Sequence, residues 1–239
     1  MATASTLAKN IFKLFGISVS RTDRLYESIP ANYEKSPFLP KVYRNNIDRI
    51  LFFEEMIDSI KDVDGDIVEC GVSIGHGALV FLLLGEHVGH MRTYYGFDSF
   101  EGFPPAKAED GATPISGPGY YANPPETVLR VLRDGHIPED WITQHVRLVR
   151  GFFDKTLPDY QGKIALLHLD CDLYESYKLS LETLYSKISP GGLIIFDEYN
   201  DPRWEGAKKA VDEFFSDKPE TVQLWHGRKD RYFVRLGNN

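Results

Sequence analysis

Four carboxylates stand out by type and spacing. Asp170 and Asp172 flank Cys171 after the apolar run Leu167-His168-Leu169, and Asp197-Glu198 closes the run Gly192-Leu193-Ile194-Ile195-Phe196. If the two runs are neighbouring strands of a parallel sheet, all four acids converge at one sheet edge. That is more negative charge than a fold holds together without a cation. Hard carboxylate oxygens suit Mg²⁺ or Ca²⁺ over zinc, and no His or Cys cluster competes. A carboxylate of ordinary pKa is too weak a base to strip an alcohol or sugar hydroxyl unaided. A bound divalent ion lowers that hydroxyl's pKa and orients it, so the set points to chemistry at an oxygen atom. Asp172 alone has a second reading, as the N-cap of a helix starting near Leu173 with Glu175 at N3. That reading leaves Asp170 and Asp197-Glu198 unexplained.

A second group is Glu69-Cys70-Gly71-Val72-Ser73-Ile74-Gly75-His76-Gly77. Its glycines let the backbone approach a ligand after a strand, and the next helix offers its N-terminal amides. The spacing G-x-x-x-G-x-G departs from the dinucleotide fingerprint G-x-G-x-x-G. The form E-x-G-x-x-x-G resembles the S-adenosylmethionine motif instead; the plain alternative is a tight turn without a ligand. Asp98 ends the following strand, where an acid hydrogen-bonds ribose hydroxyls in doubly wound folds. Taken alone, it serves equally as a loop cap.

These groups need a scaffold, and the pattern supplies one. From Asp66 the chain alternates strands (66–70, 93–98, 146–150, 163–169, 193–196) with helices (78–87, 126–135, 173–188 and one marked by Ala207, Val211 and Phe214). Such alternation implies a doubly wound α/β sheet, mostly parallel. Two closing strands, 222–225 and 231–236, share the short turn 227–230, which can join only antiparallel strands. Residues 99–125 form a long loop rich in Gly and Pro, expected to be functional. Residues 1–62 read as a helical extension. It includes an amphipathic segment at Leu7, Ile11, Leu14 and Phe15, a Pro-punctuated link at 33–40, and a helix over 42–60 carrying Ile47, Ile50, Leu51 and Ile57. Residues 63–239 are expected to form the catalytic domain with 99–125 as its lid loop, and 1–62 a lid or an oligomer contact.

The 239 residues fit one α/β domain with additions, and a net charge of −8 argues against a nucleic-acid partner. Two cysteines, Cys70 and Cys171, are too few for a disulfide framework, so reduced thiols and a cytoplasmic location are expected. No apolar run reaches transmembrane length, and the first residues lack the form of an export signal. The N-terminal helix suits packing or a homo-oligomer contact, a dimer being expected; weak membrane association is the other use.

The stretches Val68–Val72, Phe97-Asp98-Ser99-Phe100-Glu101-Gly102-Phe103-Pro104, His168–Ser176 and Gly191–Tyr199 together resemble the macrocin O-methyltransferase family over residues 45 to 236. The resemblance implies a class I methyltransferase (Rossmann-like) fold. It also implies S-adenosylmethionine, a divalent metal such as Mg²⁺, and methylation of a hydroxyl, typically on a sugar of an antibiotic. By the same resemblance Glu69, Gly71 and Gly75 line the methionine and ribose end of the cofactor, and Asp98 holds the ribose with Ser99 beside it. Gly151, Phe152 and Phe153 flank the adenine. Asp170, Asp197 and Glu198 bind the metal, and Asp172 is the general base. The family more often has two aspartates where this chain has Asp197-Glu198. Some relatives place a histidine three positions after the first aspartate, where this chain has Leu173. A nucleotide-sugar glycosyltransferase is the alternative, since Asp170-Cys171-Asp172 has D-x-D form. His168 is expected to be a packed core histidine. His76, Tyr120-Tyr121 and Trp204 each divide between a contact with cofactor or acceptor and a structural role.

Overall fold

The computed structural model describes residues 44–113, 119–227 and 231–237, and the backbone pairing of Ile17–Ser18 with Ile29–Pro30. The chain divides into compact units Met1–Leu39 and Pro40–Asn239. In the first, that antiparallel pairing stands where helix was expected. The amphipathic segment at Leu7 to Phe15 and the link at 33–40 lie outside the described residues.

The larger unit opens with helix α1 (Arg44–Ser59) and continues β1 (Asp66–Cys70), α2 (His76–His87) and β2 (Tyr94–Asp98). It then runs α3 (Pro125–Asp134), α4 (Glu139–His145), β3 (Val146–Arg150), α5 (Phe153–Thr156) and β4 (Ile164–Leu169). It closes with α6 (Tyr174–Leu184), β5 (Ile188–Phe196), α7 (Glu205–Phe215), β6 (Gln223–Leu224) and β7 (Tyr232–Arg235). The sheet order is β3-β2-β1-β4-β5-β7-β6. Strands β1 to β5 pair in parallel, and β7 runs antiparallel to both β5 and β6. The strand order reverses between β1 and β4, so a crevice opens at their carboxyl ends.

Every residue of β4 is buried, as a central strand covered on both faces must be. On one face Val68, Leu167, Ile194 and Val234 lie in register and pack with Tyr177, Leu181, Leu184, Ala207 and Val211 of α6 and α7. On the other face Glu69, His168 and Ile195 form a row. There the His168 ring meets Phe53 of α1 and Phe81 of α2 edge-on, at centroid distances of 5.2 and 5.4 Å.

Three local expectations change. The inward face of α1 is Phe52, Phe53, Met56 and Ile57, while Ile47 and Leu51 point outward. The strand expected from Leu193 begins at Ile188: Pro190-Gly191-Gly192 is absorbed as an irregularity, because β4 steps from Ile164 to Leu166 while β5 steps from Ile188 to Leu193. The short helices α4 and α5 carry too few residues to show a period in sequence.

Candidate active site

The ladder runs one residue past each strand: Gly71 N–H bonds the Phe97 carbonyl, Asp170 N–H the Cys70 carbonyl, and Asp197 N–H the Leu169 carbonyl. The glycine turn and both acidic pairs therefore start from one level of the sheet. They border a single cleft of about 670 Å³, reached also by Arg49, Tyr120, Phe152 and Trp204. Gly71 sits at φ +93°, and a Cβ there would lie 1.8 Å from the Asp170 carbonyl oxygen. Only glycine lets the loops after β1 and β4 approach so closely.

At the β1–β2 end the polar groups are already partnered. Asp98 Oδ2 accepts the amides of Val72 and Ser73 at 2.9 Å each, and Oδ1 accepts the Phe100 amide at 2.7 Å. A carboxylate has about four acceptor positions, so roughly one remains for a ligand hydroxyl. The Ser99 hydroxyl donates to the Gly102 carbonyl at 2.6 Å and accepts the Glu101 amide, shaping its own loop. Glu69 is buried; its carboxylate bonds the Tyr94 hydroxyl and lies 2.8 Å from His168 Nδ1. A Cβ at Gly77 would fall 1.9 Å from Glu69 Oε1, so that glycine makes room for the carboxylate under α2. Gly75 packs on Val128, and the Gly151 amide donates to the Asp98 carbonyl; neither borders the cleft, whereas Phe152 and Phe153 do. His168 is the packed core residue expected, with Nε2 unpartnered between aromatic rings.

The β4–β5 end carries concentrated charge. Ligand oxygens of Asp170, Asp197 and Glu198 lie within 4.8 Å of one another. A hard cation with metal–oxygen bonds of about 2.1–2.5 Å spans ligand pairs up to about 4–5 Å apart, so the set fits Mg²⁺ or Ca²⁺. Burial pushes Glu198 well above the carboxylate range, and Asp170, Asp172 and Asp197 add to it. The Tyr177 hydroxyl holds Glu198 in place, 2.5 Å from Oε2 and 2.8 Å from the Leu169 carbonyl. Burial, then repulsion from Asp170 and Asp197, pushes Asp172 up to about 8. Burial also raises Asp197, but Arg49, His168 and Arg231 outweigh it and hold it below the usual range. Arg49 Nη2 lies 2.9 Å from Asp170 Oδ2, Arg49 Nε 3.3 Å from Asp197 Oδ1, and Arg231 Nη1 3.5 Å from the same oxygen.

The helix-cap reading of Asp172 gives way to a different residue. Asp172 sits at φ +61°, in left-handed backbone, and makes no cap to α6. Asp110, buried in the long loop, accepts the Tyr174 amide at 2.6 Å and the Lys107 amide at 2.7 Å. A Cβ at Gly206 of α7 would fall 2.4 Å from Asp110 Oδ1. The loop is thus pinned midway, and its Tyr120 and Tyr121 meet each other, with Phe103 between Tyr121 and Trp204 at the cleft. Sequence reasoning missed Asp110, Arg49 and Tyr177. Asp110 pairs only through folding, and Tyr177 reads as one apolar member of a helix face. Arg49 carried a signal: it lies three and four residues before Phe52 and Phe53, on the buried side of α1.

A family model described as macrocin O-methyltransferase matches residues 46–225. The chain belongs to the macrocin O-methyltransferase family. A relative from Streptomyces olivaceus, 8-demethyl-8-(2,3-dimethoxy-alpha-L-rhamnosyl)-tetracenomycin-C 4'-O-methyltransferase, is 37% identical over 57% of this chain and 54% of its own length. Demethyldecarbamoylnovobiocin O-methyltransferase from Streptomyces niveus is 36% identical over 64% of this chain and 59% of its own. The matches thus span little more than half the length of these curated relatives. Among solved structures, the calicheamicin methyltransferase CalS11 is 27% identical with a TM-score of 0.73, covering 99% of this chain and 95% of that one. The mostly parallel sheet with β7 reversed is the class I methyltransferase fold expected of the macrocin O-methyltransferase family. Among the described residues no helix is long and apolar enough to cross a membrane.

Proposed function

We propose that the protein is an S-adenosylmethionine-dependent O-methyltransferase that methylates a sugar hydroxyl of a natural product or polysaccharide, with a divalent metal such as Mg²⁺. One observation carries the reading: the glycine turn with Asp98 and the cluster of Asp170, Asp172, Asp197 and Glu198 border one cleft across the β1–β4 crevice. Relatives named for methylating rhamnosyl tetracenomycin and novobiocin precursors support a sugar-bearing acceptor. The nucleotide-sugar glycosyltransferase reading is set aside with the family assignment.

In this reading the β1–β2 loops hold the cofactor, Asp98 keeping an acceptor position for a ribose hydroxyl and Phe152 and Phe153 bordering the adenine. Asp170, Asp197 and Glu198 would hold the cation, which when bound lowers the acceptor hydroxyl's pKa. Bound S-adenosylmethionine would supply the methyl group to an acceptor oxygen held in line with its carbon–sulfur bond, leaving S-adenosylhomocysteine as the product. Asp172, at the cleft beside these carboxylates, would receive the hydroxyl proton as general base. Phe103, Tyr121 and Trp204 offer apolar faces to a sugar ring.

Calorimetry with S-adenosylhomocysteine and labelled turnover against glycoside-linked and nucleotide-linked deoxysugars, with Mg²⁺ and with EDTA, test this. Binding of the product cofactor and metal-dependent labelling of a sugar are expected. A protein that does not bind S-adenosylhomocysteine is not this enzyme.

A further inference from the structure

Arg49 is a cation on the inward side of a helix. Positions 49, 52, 53, 56 and 57 share one face of α1, and Phe52, Phe53, Met56 and Ile57 are all buried there, with Ile60 buried just past its end. The guanidinium lies over the Phe53 ring at 5.1 Å and borders the cleft. It does not point to bulk water. Its Nη2 bonds Asp170 Oδ2 at 2.9 Å and its Nε lies 3.3 Å from Asp197 Oδ1. Those are two of the three carboxylates whose oxygens gather closely enough for a divalent cation. The side chains of Arg49, Asp170 and Asp197 each keep about a quarter of their surface open, 27%, 28% and 25%, so an ion arriving through the cleft reaches them.

Two cations therefore address the same two carboxylates. An ion sharing Asp170 and Asp197 with a guanidinium already on one oxygen of each would sit only a few ångströms from a like charge. Water screens such a pair weakly inside a partly closed cleft. The guanidinium holds Asp170 by a hydrogen bond and Asp197 by an ion pair, its Nε making no hydrogen bond.

We propose that Arg49 is a built-in competitor for the metal: it neutralises Asp170 and Asp197 until a divalent cation takes its place on at least one of them. This rests on the metal reading of the cluster given above. Arg49 thereby acts as a positioning residue. It keeps the empty carboxylates from repelling one another and sets metal affinity lower than three acids would give alone.

The test is Mn²⁺ titration by calorimetry of the chelator-stripped full chain, with melting temperatures in EDTA and S-adenosylhomocysteine binding as the check on fold. Arg49→Met keeps the side-chain length and removes the charge. It is expected to bind Mn²⁺ about tenfold tighter or more, because the like charge is gone. It should also melt lower than wild type in EDTA, with Mn²⁺ closing the gap. Arg49→Lys keeps the charge without the fork and should fall between the two; it carries the comparison if Arg49→Met does not fold. Equal or weaker Mn²⁺ affinity in the folded variants overturns the proposal while the metal reading stands. A wild type that binds no Mn²⁺ beside an Arg49→Met protein that does would be competition in its strongest form. If neither binds Mn²⁺, the metal reading fails and the proposal with it.

Discussion

At the β1–β2 end of the cleft, polar groups are satisfied inside the protein: Asp98 accepts three backbone amides, and Glu69 is closed between Tyr94 and His168. At the β4–β5 end, along the same sheet edge, four acids gather, and Arg49 and Arg231 pair with two of them, Asp170 and Asp197. The first end is shaped by backbone amides and buried side chains. The second stores electrostatic repulsion that a cation or a proton relieves. In the proposed reading the backbone-shaped end would hold the cofactor and the charged end would take the acceptor's proton.

The contrast breaks most sharply at Asp172. Asp172→Asn is expected to lower turnover by about 10²–10⁴-fold, the range for loss of a general base, with S-adenosylhomocysteine affinity unchanged. Single-turnover assays beside calorimetry decide it; equal loss of cofactor binding would mean the two ends do not act separately. Gly71→Ala attacks the joint between them, forcing a Cβ against the Asp170 carbonyl in left-handed backbone. It should cost at least about 1–3 kcal/mol in urea denaturation and weaken both cofactor and Mn²⁺ binding. Asp98→Ala leaves three amides without their acceptor and should cost the cofactor roughly 1–3 kcal/mol of affinity. Mn²⁺ affinity should not move, and a change there would join the two ends.

The charged end should also show itself in pH dependence. In chelator-treated protein Asp172 holds its proton up to about 8 when folded, while an unfolded aspartate loses it near 4. Between those values the folded state binds more protons, so stability falls as pH rises from about 4 towards 8; Glu198, raised well above its usual range, acts in the same direction. After screening by cleft water the loss is on the order of 1–2 kcal/mol, read from urea midpoints with EDTA, and added Mg²⁺ should flatten it. A midpoint that climbs over this range would contradict the raised carboxyls. The smallest effect expected is Tyr177→Phe, about 1 kcal/mol for the buried hydroxyl shared between Glu198 and the Leu169 carbonyl, together with weaker Mn²⁺ binding.

Much of this was legible in the sequence because it depends on local order. The strand at Val146–Arg150 and the close of β1, β2 and β4 follow from short apolar runs bounded by turn residues. The acids sit immediately after those runs, so a parallel sheet had to bring them to one edge. Where helices supply partners, local pattern failed. Ile47 and Leu51 fit a helical period as well as Phe52 and Met56 do, and only packing on Phe81 and His168 fixed which face of α1 turned inward. Asp172 looks like a cap because caps are judged from neighbours in sequence, yet Asp110, 64 positions from Tyr174, took that bond.

The sequence by itself determined the alternation of strands and helices, the glycine turn and the placing of four acids at one edge, since each is set by residue type and spacing along the chain. Tertiary structure alone decided which partners those acids have: Arg49 from α1, Tyr177 from α6 and Arg231 beside β7. Charge–charge and hydrogen-bond energies depend on distance in space, and no one-dimensional pattern fixes how far apart residues 49, 170, 197 and 231 will lie.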